Sequence, residues 1–164
     1  MIIYTDIFNG DELVSDQYPS KEIGPFLEVE CKMITRRLLG DINIDESPLD
    51  EGEDDEAGTV TVNNVVDAHR LVKVSYDKKS YTAHLRAYIK RLREAKTARG
   101  DQDVAEWEMS TQAAVTEVLA SFDDWEFLSG ENMDPEAMVA LSGWRGEDTP
   151  VIRFFKEGLK AEKY

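Results

Sequence analysis

Cysteine is nearly absent from this chain: Cys31 is the only one in 164 residues. That excludes an intramolecular disulfide framework and any CxxC-based zinc or redox site. Histidine is almost as scarce, with His69 and His84 alone. Two histidines and one cysteine cannot close a tetrahedral zinc site without carboxylates, and HExxH is missing. Neither histidine lies near a GxSxG nucleophile motif, and no GxxxxGK[ST] or GxGxxG phosphate cradle is present. No apolar run approaches the ~20 residues of a membrane span, and no apolar stretch follows the amino terminus as a secretory signal would. Positive charge is the last deficit. Nineteen Lys and Arg face 34 Asp and Glu, a net charge of −15, which disfavours non-specific binding to nucleic acid or anionic membrane. A cytoplasmic protein with no cofactor and no catalytic turnover is expected.

What is present divides into strand-like ends around a helical middle. MIIYTDIF opens with β-branched and aromatic residues, Asn9-Gly10 is a strong hairpin turn, and ELVSDQY can return as the partner strand. Pro25 to Met33 alternates, with Leu27, Val29, Cys31 and Met33 forming the apolar face and Phe26, Glu28, Glu30 and Lys32 the other. Cys31 is therefore expected to point inward. Between Gly40 and Gly58 stand Asp41, Asp45, Glu46, Asp50, Glu51, Glu53, Asp54, Asp55 and Glu56 with no basic residue. Like charges repel and few apolar groups offset the ordering entropy, so residues 39–58 are expected to form a long mobile acidic loop. Weak Ca²⁺ binding at Asp50, Glu51, Glu53, Asp54, Asp55 and Glu56 is the alternative, although the EF-hand spacing is missing.

Thr59 to Tyr76 reads as strand, placing His69 in one. Helix follows: Tyr81, Leu85, Tyr88, Ile89 and Leu92 recur at helical spacing before Gly100. The other faces carry Lys78, Lys79, Arg86, Lys90, Arg91, Arg93, Lys96 and Arg99, eight of the chain's 19 basic residues. That array is either a solvated amphipathic face or a platform for an acidic partner. Specific RNA recognition is disfavoured because stacking aromatics are not interleaved. Asp103 with Glu106 resembles a capping box opening a second helix striped by Val104, Trp107, Ala114, Val118, Leu119 and Phe122. Residues 77–122 thus read as an αα-hairpin. DWEFLSG, EAMVALSGWR and PVIRFFKEGL return to strand. One strand set interrupted once by a helical pair is an α+β fold in one domain, 1–164.

Within the last third, Gly130-Glu131-Asn132 followed by Asp134-Pro135 has the chemistry of a strand-to-strand turn. Phe127, Met138, Val139 and Leu141 would anchor it.

SFDDWEFLSGENMDPEAMVALSGWR, then VIRFFKEGLKAEKY, together with the opening MIIYTDIFNGDELVSD, resembles the translationally controlled tumour protein family over essentially the whole chain. The resemblance implies a bent, mainly antiparallel β-sheet "tent" carrying a helical hairpin and a long acidic loop. Structural relatives include zinc-bearing GTPase exchange factors and cysteine-dependent methionine sulfoxide reductases, and this chain lacks the cysteines for either chemistry. Family members are described as cytoplasmic proteins binding Rheb-type small GTPases, elongation-factor machinery, tubulin, Ca²⁺ and Bcl-family proteins.

The resemblance places the family's GTPase-contacting glutamate on Glu12, with Tyr4, Asp6 and Asp16 completing an acidic patch and Glu131 a further candidate. It places tubulin binding on Lys78 to Arg99. The implied function is control of protein synthesis and growth through a small GTPase or elongation factor, with microtubule stabilisation and cytoskeletal association. The alternative is a Ca²⁺-binding, chaperone-like stress or anti-apoptotic protein. Two departures stand out. LLGDINIDESPLDEGED replaces the family's usual glycine-asparagine-serine loop signature, and the chain ends in Tyr164 rather than a cysteine. A monomer is expected.

Overall fold

A computed structural model describes residues 1–37, 47–48 and 59–164. The N-terminal hairpin pairs β1 (Ile2–Asp6) with β2 (Glu12–Ser15), and the last strand, β12 (Leu159–Lys163), lies on the other side of β1. Asn9-Gly10 makes the turn as expected. Gly10 takes φ +80°, and Asn9 Oδ1 accepts from Asp11 N at 2.9 Å, an Asx turn that sets the chain's return.

A six-stranded antiparallel sheet forms the centre, ordered β3 (Ser20–Ile23), β4 (Phe26–Glu30), β11 (Thr149–Phe155), β10 (Ala140–Arg145), β9 (Glu126–Ser129) and β8 (Val72–Val74). A third, small sheet joins β6 (Ser47–Pro48), β5 (Met33–Arg37) and β7 (Thr59–Asn63). The acidic segment 39–58 otherwise lies outside the described residues.

The alternation over Pro25 to Met33 is half right. Val29 and Cys31 are buried as expected, but so are Phe26 at 1% exposure and Glu28 at 3%. β4 sits between two strands, and its second face is covered too. Arg153 lies over both Phe26 and Trp125, with its guanidinium 5.6 and 5.0 Å from the ring centroids. Glu28 survives burial because two cations reach it. Arg145 Nη2 donates at 2.8 Å to one oxygen, and Arg153 Nε donates at 3.0 Å to the other. Burial pushes the Glu28 carboxyl up, yet the two guanidiniums win and hold it below its ordinary value.

Thr59 to Tyr76 departs from expectation. Only its two ends are strand; between them Asn64–His69 forms the short helix α1. Asn63 caps it, its Oδ1 accepting from Val65 N at 2.9 Å and Val66 N at 3.2 Å. His69 therefore ends a helix rather than sitting in a strand.

The αα-hairpin is present as α2 (Lys78–Arg99) and α3 (Val104–Ala120). Every residue of the expected α2 stripe (Tyr81, Leu85, Tyr88, Ile89, Leu92) is buried. Tyr81 packs on Phe127 of β9 at 4.5 Å, and Tyr88 on Phe155 of β11 at 5.3 Å. Gly100 takes φ +83° at the C-cap, where a left-handed residue lets the chain turn back. The capping box sits at the other helix. Asp77 and Ser80 cap α2 reciprocally, whereas Asp103 makes no side-chain cap and bonds Lys96 Nζ at 3.2 Å instead.

Candidate functional site

Two aspartates of the N-terminal hairpin hold both ends of the turn between β9 and β10. Asp11 grips the start: its Oδ1 accepts from Asn132 Nδ2 at 2.6 Å and its Oδ2 from Asn132 N at 3.3 Å. Asp6 grips the end, accepting from Met138 N at 2.9 Å through one oxygen and Phe8 N at 2.8 Å through the other. Gly130 is required by this closeness. A Cβ there would fall 2.5 Å from Asp11 Oδ2 and 2.8 Å from its Cβ. The expected anchors of the turn are in place, with Phe127, Met138, Val139 and Leu141 all buried.

Next to this clamp lies a mixed-charge surface. Glu12 opens β2 with a half-exposed side chain, and its Oε2 lies 2.6 Å from Nδ1 of His69, which is buried at the end of α1. The Tyr18 ring packs edge-on against His69 at 5.8 Å. The His69 Nε2 is buried without a partner among the described residues. One residue on, exposed Arg70 points Nη1 to Glu131 Oε2 at 3.4 Å. The Glu162 carboxylate, which accepts the Tyr164 hydroxyl at 3.0 Å, and the nearby Glu12 charge together push the Tyr164 phenol up.

The expected acidic patch is thus partly assembled. Glu12 and Glu131 flank the same surface. Asp16 stands at the far end of β2, where its carboxylate accepts from Ile2 N at 3.1 Å. Tyr4 is half-buried in β1 and packs against the core. Asp6 does not belong to the patch. It is 3% exposed, and burial raises its carboxyl pKa. Its hydrogen bonds to Phe8 N and Met138 N act the other way without reversing that shift. His69 and Arg70 were missed because Val65-Val66 read as strand, although Asn63-Asn64 before them carried an N-cap signal.

Four of the eight basic residues of α2 are engaged within the molecule. Lys96 is 2% exposed, its ammonium 3.2, 3.2 and 3.4 Å from Asp101, Asp103 and Glu157. A partner cannot reach it. Arg99 bonds Asp101 at 2.9 Å and Glu157 at 3.0 Å, and Arg93 bonds Glu108 at 2.8 Å. Arg91 lies 4.0 Å over the Phe8 ring and donates to the Glu136 carbonyl. Lys78, Lys79, Arg86 and Lys90 are exposed and make no ion pair among the described residues. Lys79, Arg86 and Lys90, seven and four residues apart, fall within about 40° of one another round the helix.

Cys31 is buried and its thiol is pushed up to about 11 by desolvation. At neutral pH it is not the thiolate that thiol chemistry needs. No group of three or more His, Cys, Asp or Glu among the described residues could hold a metal ion. The Ca²⁺ candidates Asp50, Glu51, Glu53, Asp54, Asp55 and Glu56 lie outside the described residues. No helix among the described residues is long and apolar enough to cross a membrane.

The family model for translationally controlled tumour protein matches residues 1–160. The chain belongs to that family. It is 40% identical to the translationally-controlled tumor protein homolog of Schizosaccharomyces pombe, with all of both chains covered. It is 44% identical to the Candida albicans homolog over 99% of each. The solved structure of the translationally controlled tumor-associated protein p23fyp from Schizosaccharomyces pombe superposes with a TM-score of 0.85, covering 100% of both chains at 40% identity. The expected α+β fold with its mostly antiparallel sheets is therefore that of a translationally controlled tumour protein.

If Gly130 is required for contact with Asp11, Gly130→Ala forces the clamp apart. We expect a loss of about 1–3 kcal/mol in urea unfolding, as overpacking typically costs. An unchanged midpoint would mean that the contact is loose.

Proposed function

We propose that this member of the translationally controlled tumour protein family is a cytoplasmic interaction protein without catalytic turnover. Its Glu12 surface docks a small GTPase of the Rheb type, or an elongation-factor partner, and so bears on protein synthesis and growth. The observation that carries this reading is the Glu12 carboxylate, exposed to a partner yet held at 2.6 Å by a buried histidine. An exposed glutamate ordinarily samples many rotamers, and one already oriented loses less entropy on binding. As an exchange factor the protein would act by binding the nucleotide-free GTPase more tightly than the loaded one, since only differential affinity shifts an equilibrium.

Labelled-nucleotide release from a loaded Rheb-type GTPase tests this. Release accelerates with the parent protein and falls back about tenfold with Glu12→Val; no acceleration by the parent overturns the exchange reading.

A second reading rests on a separate observation, the free cations of α2. Lys79, Arg86 and Lys90 form a line about 16 Å long at the helical rise of 1.5 Å per residue, suited to an acidic tubulin tail. Arg91, Arg93, Lys96 and Arg99 are engaged within the molecule and contribute little to it. Co-sedimentation with microtubules is expected to weaken with salt. It is expected to be lost when Lys79, Arg86 and Lys90 are changed together to glutamate, whereas salt-insensitive binding contradicts the electrostatic mechanism.

A further inference from the structure

Only two non-glycine residues among those described take a left-handed backbone, Arg70 at φ +57° and Met133 at φ +53°. There the Cβ of an L-residue crowds the following carbonyl, which is why glycine or asparagine usually fills such positions. Arg70 is the C-cap of α1, its N–H donating to the Val66 carbonyl. Met133 closes the turn after Gly130, its N–H donating to the Gly130 carbonyl at 3.0 Å. Glycine would make both bonds with less strain.

The two positions are distant in sequence and close in space. Arg70 Nη1 reaches Glu131, two residues before Met133, and Glu12 bonds His69, the residue before Arg70. Folding does not account for either side chain. The Arg70 side chain is 75% exposed and its carboxylate partner 59% exposed, so that ion pair is largely screened. Met133 is 53% exposed and stands outside the hydrophobic core. Strain kept at two neighbouring exposed positions, without a packing return at either, points to a use at the surface.

We propose that Arg70 and Met133 are partner-contact residues of the Glu12 surface. Met133 supplies an adaptable apolar contact, as thioethers do at binding faces. Arg70, between Glu12 and Glu131, gives the surface a negative–positive–negative order. That order fits a GTPase face carrying a carboxylate between basic groups beside an apolar recess. The inference rests on the reading that the Glu12 surface docks a small GTPase. An anionic lipid surface does not fit, because Glu12 and Glu131 flank the cation in a chain of net charge −15.

Arg70→Gly and Met133→Gly separate side chain from backbone, since glycine keeps the left-handed turn. Thermal melting and calorimetric titration with nucleotide-free Rheb-type GTPase are read on both variants. Met109→Ala is the control, an exposed methionine on α3. Both glycine variants are expected to melt no lower than the parent and to bind at least about fivefold more weakly, with the control unchanged. Parent binding with equal affinity in the glycine variants overturns this inference and leaves the docking reading standing. No binding by the parent overturns both. Glycine variants that melt lower than the parent show that the side chains serve the fold, which also overturns it.

Discussion

Asp6 and Asp11 on one side, and the backbone of residues 130–138 on the other, make the junction on which the remainder of the structure leans. The turn is gripped at Asn132 and again at Met138 by residues 121 and 132 positions earlier in the chain. Both carboxylates are buried, at 3% and 8% exposure. Breaking the junction without flooding it would leave acceptors unsatisfied at a cost well above one ordinary hydrogen bond. The turn so fixed lies along α2, where Arg91 meets the Glu136 carbonyl and His84 shares a cavity wall with Pro135. Glu12 follows Asp11 directly, and Glu131 precedes Asn132. The surface proposed to face a partner is therefore an extension of the clamp.

The large negative charge is handled by concentrating cations where burial would otherwise be costly. Glu28 takes two guanidiniums, and Lys96 gathers three carboxylates between the helical hairpin and Glu157. Lys96 holds its proton tightly. Burial alone would lower its pKa, but Asp101, Asp103 and Glu157 raise it above the ordinary value. Such sites consume basic residues. Half of the expected α2 array is spent inside the molecule, and what faces solvent is narrower and more linear than composition suggests.

Much of the fold was legible because local chemistry and tertiary structure agree. The Asn9-Gly10 hairpin, the α2 stripe, the Gly100 cap and the anchored turn at 130–138 were all readable from residue type and spacing. The failures share a cause: a neighbouring element decided the outcome. Glu28 looked solvent-facing until Arg145 and Arg153 from other strands covered it. Asp103 looked like half of a capping box until Lys96 claimed it. Val65 and Val66 looked like strand because β-branched residues outweighed the Asn63 cap. Of the candidate site, Glu12 came from the family resemblance and Glu131 from the turn at 130–135, while His69 and Arg70 reach these two carboxylates only once α1 folds against β2 and the turn.

The central claim is that Asp11 and Asn132 act as one unit. A double-mutant cycle of Asp11→Ala and Asn132→Ala, read as urea unfolding free energies, tests it directly. The account predicts that the second substitution costs less once the first is made, with a coupling of about 1–2 kcal/mol. Additivity within about 0.5 kcal/mol, the behaviour of independent sites, would contradict it.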